Sequence, residues 1–458
     1  MKSNSEKSVK DAINSIKESP SIKVKIAVTD IDGILRGKVV SKEKFLSIAE
    51  GGFGFCDVVF GWDSGDKAYD NSRFTGWHTG YPDAQACLDL LTYREIPWEK
   101  ELPLVLADFC DDSGGPLDVC PRGLLKNIRE ACLVSGFQPV FSQEFEWFNF
   151  QETPQELYDK QFTNIRPLTP GMFGYSMLRS SMNSDYFNDL FDLLNKFDIP
   201  LEGLHTETGP GVYEAAISYS EVVEAADRAT LFKNSVKEIA YRHGIMASFM
   251  AKWNENYPGC GGHIHQSLWD MDFKKNLFYH QGREHKISPL MEHYIAGQLH
   301  CMPHILPMYA PNINSYKRLV AGAWAPTTLT WGLDNRTTAL RVMAGSPDST
   351  RLETRVCGSD VNPYLAMSAA LASGLYGISK QLGLEQEPTV GNGYEETRHG
   401  TLPSSLLEAT KLMQGSDIAK ELFGSGFVEH FVQSRIWECR QFAPAVTDWE
   451  LKRYFEII

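Results

Sequence analysis

The stretch that decides the fold of this chain reads Phe141-Ser142-Gln143-Glu144-Phe145-Glu146-Trp147-Phe148. Its alternation of side chains predicts a strand, so the two glutamates point to one face, roughly 7 Å apart, and Phe145 and Trp147 point into a core. Two carboxylates on one strand face repel each other unless a cation lies between them. An isolated Glu-x-Glu more often marks a solvated strand face, so the rest of the sequence has to decide between these two interpretations.

Composition and charge bound the class of protein. The chain has 458 residues, 43% hydrophobic and 22% charged, which is typical of a soluble globular protein with a large and a smaller domain. The formal net charge of −14 argues against general nucleic-acid binding. No apolar run approaches the roughly 18 residues of a membrane span, and the Lys- and Ser-rich start is no secretory signal. The nine cysteines contain no Cys-x-x-Cys, so we expect reduced thiols and a cytoplasmic protein without nucleic-acid or membrane partners.

The order of predicted elements divides the chain into three parts. Residues 1–24 form an arm with helical apolar spacing that ends at Pro20. Residues 25–118 are rich in strands and turns, and residues 119–458 form the larger part. Three helices are predicted in the larger part, at residues 121–136, 220–243 and 362–378. The signals are apolar spacing with capping residues for the first two and a high content of small residues for the third.

The stretch Asp30-Ile31-Asp32-Gly33 admits two interpretations. It mimics the Asp-x-Asp-Gly start of haloacid-dehalogenase phosphatases, which normally continues with Thr and opens a parallel sheet. Here Ile34 follows, and a second strand that runs to Val40 begins at once. We therefore favour a plain hairpin turn.

Two further segments place polar side chains where a core would exclude them. Glu207 and Glu214 flank a Gly/Pro turn, and a hairpin would bring both carboxylates to the same place. The run Gly259-Cys260-Gly261-Gly262 allows close backbone approach and leads to His263 and His265, which share one strand face. A single histidine is usually structural, but two on one face after such a turn favour a ligand site.

Arginines cluster late in the chain. Arg351, Glu353 and Arg355 alternate onto one face of a predicted strand. Guanidinium groups donate bidentately to phosphate and carboxylate oxygens, although a surface ion-pair network is the simpler alternative. Five arginines lie close to the glycine- and carboxylate-rich segments, and their number favours a polyanionic ligand. They are Arg318, Arg336, Arg341, Arg351 and Arg355.

Five glutamates and one histidine are available to bind divalent cations: Glu144, Glu146, Glu207, Glu214, Glu353 and His263. Oxygen-rich ligation with one imidazole suits Mg²⁺ or Mn²⁺ better than structural zinc. Arginines beside such cations describe a phosphoryl-transfer site, where catalysis is mostly positioning and charge neutralisation. No Walker-type loop is present, so a nucleotide would have to bind without one.

With these motifs in order, nearly the whole chain resembles the glutamine synthetase family. Besides the segments above, the resemblance rests on Asn314-Ser315-Tyr316-Lys317-Arg318, Asn335-Arg336-Thr337 and Asn362-Pro363-Tyr364. It implies an α+β fold, with a small N-terminal β-grasp domain and a large catalytic domain built on a curved antiparallel sheet. It also implies stacked rings, commonly dodecamers, with active sites between neighbouring subunits. In the family, ATP phosphorylates the γ-carboxylate of glutamate, and a nitrogen nucleophile displaces phosphate.

The resemblance also implies roles for individual residues. Ligands of a first metal, near the reacting carboxylate, match Glu146, Glu207 and Glu214. Ligands of a second metal, which holds nucleotide phosphates, match Glu144, His263 and Glu353. Residues on the nucleotide and phosphate side match His265, Ser267, Arg336, Arg341 and Arg351. Residues around bound glutamate match Gly259, Arg318 and Arg355.

The chain departs from the family pattern at the nitrogen nucleophile. Ammonia-using members carry a glutamate on a mobile flap in a Tyr-Glu-Ala-Pro context, whereas this chain has Ala323-Trp324-Ala325-Pro326. An indole cannot deprotonate ammonium, but it offers apolar area and a π face to an alkyl or aryl amine. Packing on a closed flap is the simpler role for Trp324. The family aspartate that contacts ammonium corresponds loosely to Asp63, which is expected to reach a neighbouring subunit's site.

We therefore expect a Mg²⁺- or Mn²⁺-dependent ligase that joins glutamate to an organic primary amine with ATP as co-substrate, of the γ-glutamyl-amine ligase branch. Monoamines are favoured over polyamines, because no extra acidic pair is evident near Trp324. A glutamine synthetase that uses ammonium is the alternative. An inactive structural or regulatory relative is the third hypothesis, disfavoured because such relatives tend to lose metal ligands and this chain keeps all six.

Overall fold

The N-terminal part of the chain builds a five-stranded sheet. The computed structural model describes residues 9–111 and 113–458, so the first eight residues of the predicted arm lie outside the described residues. The elements of this part are α1 (Val9–Glu18), β1 (Lys23–Thr29), β2 (Leu35–Ser41), α2 (Lys42–Ile48), β3 (Phe53–Cys56), β4 (Asp83–Ile96) and β5 (Leu102–Cys110). The sheet order is β2-β1-β5-β4-β3, and β1 and β5 run parallel at its centre. Helices α1 and α2 bury Ile16 and Phe45 in its separate core, so the arrangement agrees with the predicted β-grasp.

The turn between β1 and β2 has a simple local cause. Asp30 Oδ1 accepts hydrogen bonds from the backbone N–H groups of Asp32 (3.0 Å) and Ile34 (2.9 Å). Gly33 takes φ +81°, a conformation that costs other residues energy. Thr29 then pairs with Leu35 in an antiparallel ladder, so the predicted hairpin is confirmed.

The larger part is organised around a nine-stranded sheet. Its strands are β6 (Gln138–Phe150), β7 (Leu201–Thr206), β8 (Val212–Ile217), β9 (Ser220–Glu221), β10 (Met246–Ser248), β11 (Ile264–Trp269), β12 (Trp331–Leu333), β13 (Leu340–Met343) and β14 (Arg351–Thr354). The main path runs β12-β13-β14-β11-β6-β8-β7, with β9 and β10 paired to β6. Every named pairing except β12–β13 is antiparallel, which confirms the predicted mixed α+β architecture with a curved, mainly antiparallel sheet.

Helices surround this sheet. They are α3 (Pro121–Val134), α4 (Pro154–Asp159), α5 (Met177–Met182), α6 (Ser184–Lys196), α7 (Val222–Arg242), α8 (Pro289–Ile305), α9 (Ser315–Arg318), α10 (Pro363–Ser379), α11 (Leu406–Gln414), α12 (Asp417–Phe423), α13 (Ser425–Phe442) and α14 (Asp448–Tyr454). The three predicted helices are confirmed as α3, α7 and α10. Within the described residues, no helix combines the length and apolarity needed to cross a membrane.

The core lies behind the Glu-x-Glu strand. Phe145 and Trp147 are fully buried, and their rings pack against Phe232 of α7 at centroid distances of 5.7 and 5.6 Å. The alternation of β6 thereby leaves Glu144 and Glu146 on the opposite face of the sheet. Side chains also join the two parts of the chain: Asn362, which caps α10, donates to the backbone carbonyls of Asp30 and Ile31. The division at residues 24 and 118 stays a prediction.

Candidate active site

Four adjacent strands, β14, β11, β6 and β8, bring the acidic residues together. In the strand registers, Glu146 lies opposite Glu214 of β8, and His265 of β11 lies opposite Glu353 of β14. The backbone N–H of Glu144 donates to the carbonyl of His263 at 2.9 Å, which places that histidine beside the Glu-x-Glu strand. Residues that are distant in the sequence therefore project from one face of the sheet.

One half of the cluster combines two histidines with two glutamates. His263 Nδ1 lies 3.4 Å from Glu353 Oε1 and 3.9 Å from Glu144 Oε2. His265 Nε2 lies 3.1 Å from Glu144 Oε1. Both histidines and Glu353 are buried and Glu144 is half-buried, so these charges interact with little screening by water.

The other half lies around the β7–β8 hairpin. His205 Nε2 lies 3.5 Å from Glu214 Oε2, and His205 Nδ1 lies 3.9 Å from Glu207 Oε2. Glu207 Oε1 accepts a hydrogen bond from the backbone N–H of Thr208 at 2.7 Å. The hairpin therefore brings both predicted glutamates to one place, as the Gly/Pro turn indicated.

The side chains form three compact groups of metal-ligand type. Ligand atoms lie within 4.8 Å of one another in the sets Glu144–Glu214–His263, Glu144–His265–Glu353 and His205–Glu207–Glu214. These sets differ from the predicted division into two triads. Glu146 stands outside them, and its carboxylate accepts a hydrogen bond from the backbone N–H of Gly261 at 2.8 Å.

Crowding of negative charge changes the protonation of the cluster. Burial, followed by the charges of Glu146, Glu144 and other glutamates, raises the pKa of Glu214 to about 10. Burial opposes ionisation of Glu144 too, but the imidazoles of His265 and His263 hold its pKa well below the usual range. A set of oxygen ligands with imidazoles and excess negative charge fits a hard divalent cation, because the cation would neutralise the repulsion.

Four of the five predicted arginines border this cluster. Glu353, fully buried, accepts from Arg341 at 2.9 Å on one oxygen and from Arg355 on the other. Arg318 Nη2 lies 3.3 Å from His263 Nε2, and Arg351 Nε donates to His265 Nδ1 at 3.2 Å. The side chain of Arg336 has no hydrogen bond within the described residues; its backbone carbonyl accepts from Arg355 at 3.1 Å.

Small residues and a cavity complete the surroundings. A cavity of about 240 Å³ opens beside Glu144 and is lined by His265, Ser267 and Arg351, among others. On the other side, a Cβ at Gly259 would lie 2.5 Å from the carbonyl oxygen of Ala251 and 2.9 Å from Arg318 Cγ. Only glycine fits so close to that arginine, which agrees with the predicted need for close backbone approach.

Two predicted residues do not join the cluster within this single subunit. Asp63 Oδ2 accepts a hydrogen bond from Trp437 Nε1 at 2.8 Å, and Asp63 Oδ1 accepts from the N–H groups of Gly65 and Lys67. Trp324 lies in a turn after α9, with φ +58° and 60% of its surface exposed. Its ring is therefore not a core residue of the described subunit.

The sequence-based prediction of site residues did not include two residues that lie near the cluster, His205 and Tyr175. His205 precedes Glu207 by two positions, so strand alternation could have indicated that they share a face. The ring of Tyr175 stacks on His205 at a centroid distance of 4.6 Å, while 70% of Tyr175 is exposed. No spacing signal could have found Tyr175, because it lies in a loop some thirty residues before His205.

Comparisons with known proteins identify the family of the chain. The family model "Glutamine synthetase, catalytic domain" matches residues 118–454. The chain is 54% identical to "Type-1 glutamine synthetase 2" of Dictyostelium discoideum, covering 97% of this chain and 86% of that protein. It is 36% identical to "Glutamate--isopropylamine ligase" of a Pseudomonas species, covering 95% of each. The solved structure of a GmaS/ADP complex superimposes with a TM-score of 0.84 at 26% identity, over 97% of this chain and 99% of that one.

The chain belongs to the glutamine synthetase family, and it has the fold of that family. It is a ligase of that family, whose members use ATP and a divalent metal. The relatives include both enzymes named for glutamine synthesis and an enzyme named for an organic amine.

Proposed function

We propose that this chain joins the γ-carboxylate of glutamate to an organic primary amine, with ATP as co-substrate and γ-glutamyl phosphate as the intermediate, for amine assimilation or catabolism. The observation that carries the choice of nucleophile is Trp324, an exposed indole where ammonia-using relatives have an acid. An indole supplies apolar surface and a π face for an alkyl or aryl amine, and it has no base to deprotonate ammonium. Its exposure in the subunit disfavours a purely packing role.

We assign the cluster to two divalent cations, Mg²⁺ or Mn²⁺. The first would be held by Glu146, Glu207 and Glu214, and the second by Glu144, His263 and Glu353. The support is the convergence of most of these side chains in compact groups, together with the raised pKa of Glu214, which burial and then the neighbouring carboxylate charges produce. Glu146 is included because it lies opposite Glu214 in the strand register. When bound, such cations neutralise phosphate charge and orient the reacting oxygens.

The arginines and their neighbours bind the two substrates in this proposal. His265, Ser267, Arg341 and Arg351 lie beside the cavity or the buried Glu353, where nucleotide phosphates would be neutralised. Arg318, Arg355 and Gly259 would hold glutamate, since Gly259 leaves room against a buried guanidinium. Arg336 has no carboxylate partner among the described residues, so it is free to stabilise charge that develops on the transferred phosphoryl group.

We further propose a cytoplasmic homo-oligomer of stacked rings, a dodecamer, with active sites between subunits. Exposed apolar side chains support the assembly, because monomers rarely expose contiguous apolar surface. They occur on α5, at Met177 (78% exposed) and Leu178 (69%), and beyond α14, at Phe455 (86%) and Ile457 (85%). In such an assembly Asp63 of one subunit would reach the site of the next.

Glutamine synthesis from ammonium is the second candidate function. It is favoured by the 54% identity to a relative that bears that name. Phosphate release with glutamate, ATP and Mg²⁺, measured over a panel of amines and ammonium, separates the two candidates. No turnover with any nitrogen donor would favour the inactive relative instead.

A further inference from the structure

A second cleft lies behind the Glu-x-Glu strand, away from the reaction site. Its volume is about 670 Å³, and it is bounded by the β1–β2 turn, helix α7, residues 246–250 and residues 312–317. Lys233 Nζ in this cleft lies 5.7 Å from the ring centroid of Phe145. Because Phe145 points away from Glu144 and Glu146, the cleft and the carboxylate cluster occupy opposite faces of the sheet.

Three lysines line the cleft, and the negative charge of Asp360 reaches one of them, Lys233. Lys233, Lys237 and Lys317 form no salt bridge with any residue that the structure describes. Lys233 Nζ donates to the carbonyl of Val361 at 2.8 Å, and Lys237 Nζ stands 5.7 Å from the ring centroid of Phe249. Burial, together with the charge of Lys237, lowers the pKa of Lys233 to about 7. An anion beside Lys233 and Lys237 would favour their charged forms.

The acidic residues of the cleft already have partners or are hard to ionise. Asp32 forms an ion pair with Arg435 at 2.5 Å. Asp360 Oδ2 accepts from Asn312 at 3.0 Å and from Ser315 at 2.6 Å, while its buried Oδ1 has no hydrogen-bond partner within the described protein. Burial raises the pKa of Glu438. These acids therefore compete only in part for the lysines.

A neutral donor also points to a ligand. Thr230 precedes Lys233 by one turn of α7, lines the cleft and is only 2% exposed. Its hydroxyl has no hydrogen-bond partner within the described protein. A buried hydroxyl without a partner costs free energy, which a ligand oxygen in the cleft would recover.

We propose that this cleft binds a small oxyanion, the phosphate or carboxylate group of a metabolite, through Lys233, Lys237, Lys317 and the hydroxyl of Thr230. The site is separate from the carboxylate cluster, and the ligand would contact both the N-terminal β1–β2 turn and helix α7. Its occupancy would therefore stabilise the junction between the two parts of the chain.

Calorimetric titration of the full-length enzyme with inorganic phosphate, and separately with succinate, tests the proposal. Saturating ADP and Mg²⁺ are present throughout, and no turnover is needed, so the result is independent of the proposed reaction. We expect saturable binding of at least one anion, and the tighter one identifies the ligand group. Lys237→Gln should weaken that binding about tenfold, the effect of losing one charge-assisted hydrogen bond. Because Lys237 is exposed, this variant should fold.

The matched control is Lys411→Gln, an exposed lysine on α11 away from the cleft, which should bind as the wild type does. Lys233→Met should reduce binding at least as much as Lys237→Gln, since it removes the more buried charge. Absence of saturable binding for both anions would overturn the proposal. Equal affinities in wild type and Lys237→Gln would also overturn it, because the phosphate would then occupy only the arginine-lined site.

Discussion

At the residue scale, our proposal assigns the reaction and the choice of its nucleophile to different side chains. The metal-binding and phosphate-binding chemistry that we propose resides in glutamates, histidines and arginines that converge on the sheet of β6, β8, β11 and β14. Strand alternation predicted the shared face of Glu144 and Glu146, whereas His205 was missed. The sequence could not predict which ligand atoms lie closest to one another. Their positions depend on tertiary contacts, such as the hydrogen bond from the backbone N–H of Gly261 to Glu146. In the same proposal the choice of nucleophile depends on Trp324, whose position in a turn at the subunit surface leaves its ring exposed.

Replacing Trp324 by an acid tests its role. We expect Trp324→Glu to shift the ratio of kcat/KM for ammonium over amine by about tenfold or more toward ammonium, because a carboxylate attracts and deprotonates a small cation. The affinity for ATP, measured by titration, should stay near the wild-type value. Leu412→Glu, an exposed apolar position on α11, is the control. An unchanged amine profile in Trp324→Glu would mean that the indole does not contact the amine.

The pKa of Glu214, raised to about 10, predicts coupling between metal binding and pH. A carboxyl group with a raised pKa holds its proton at neutral pH, and a metal ligand must lose it, so binding of Mg²⁺ should release about one proton per subunit. Affinity for Mg²⁺ should accordingly rise with pH between pH 6 and 8. Titration calorimetry in buffers of different ionisation enthalpy measures the released protons. Metal binding without proton release would show that the carboxylates are already ionised.

At the scale of elements, the periodicity of apolar residues predicted the helices, because local sequence controls where a helix forms. Helix α7 was predicted at residues 220–243 and runs from Val222 to Arg242, because Ser220 and Glu221 form the short strand β9 and the Glu221 side chain caps the helix by accepting from Val223 N–H. Tyr175 was beyond prediction, since a loop residue's neighbours are decided by the tertiary fold. His205 was within reach, because β7 alternates its side chains.

Packing between α8 and α10 explains the small residues of α10. A Cβ at Gly374 would lie 2.1 Å from the Tyr294 ring, and the hydroxyl of Tyr294 is held by Gln266 at 2.7 Å. We expect Gly374→Ala to lower the free energy of unfolding by about 1–3 kcal/mol, the usual cost of overpacking. Urea denaturation measures the loss. Gly383→Ala, whose Cβ would meet nothing within 4 Å, is the control; equal stability of the two variants would contradict the packing account.

At the scale of the whole molecule, the exposed apolar residues Phe455 and Ile457, which we call the tail, predict self-association. Phe455→Asp combined with Ile457→Asp should reduce the assembly to smaller species, because charged side chains would be buried without partners. Light scattering after size-exclusion chromatography measures the mass. Val390→Asp, at a position 93% exposed outside the tail, should leave the assembly intact. A double variant with wild-type mass would exclude the tail from the contacts between subunits.

The membership of the family was predictable because its motifs follow one another in order along the sequence. Several of them lie on strands whose registers bring them to one sheet face, whereas the motif at residues 314–318 lies at helix α9 and the motif at residues 362–364 begins helix α10. The assembly and the amine were not, because both depend on surfaces that meet another molecule. The two parts of the chain also meet through specific contacts, such as Arg435 with Asp32, that no local pattern encodes.

The central claim is that the nitrogen donor is an organic primary amine. The most direct measurement is phosphate release by the assembled enzyme with glutamate, ATP and Mg²⁺, compared across ammonium, small monoamines, aryl amines and polyamines. We predict that kcat/KM is highest for a monoamine and at least about tenfold lower for ammonium, a difference of roughly 1.4 kcal/mol in transition-state stabilisation. Turnover with ammonium far above that with every amine would contradict the claim and identify a glutamine synthetase.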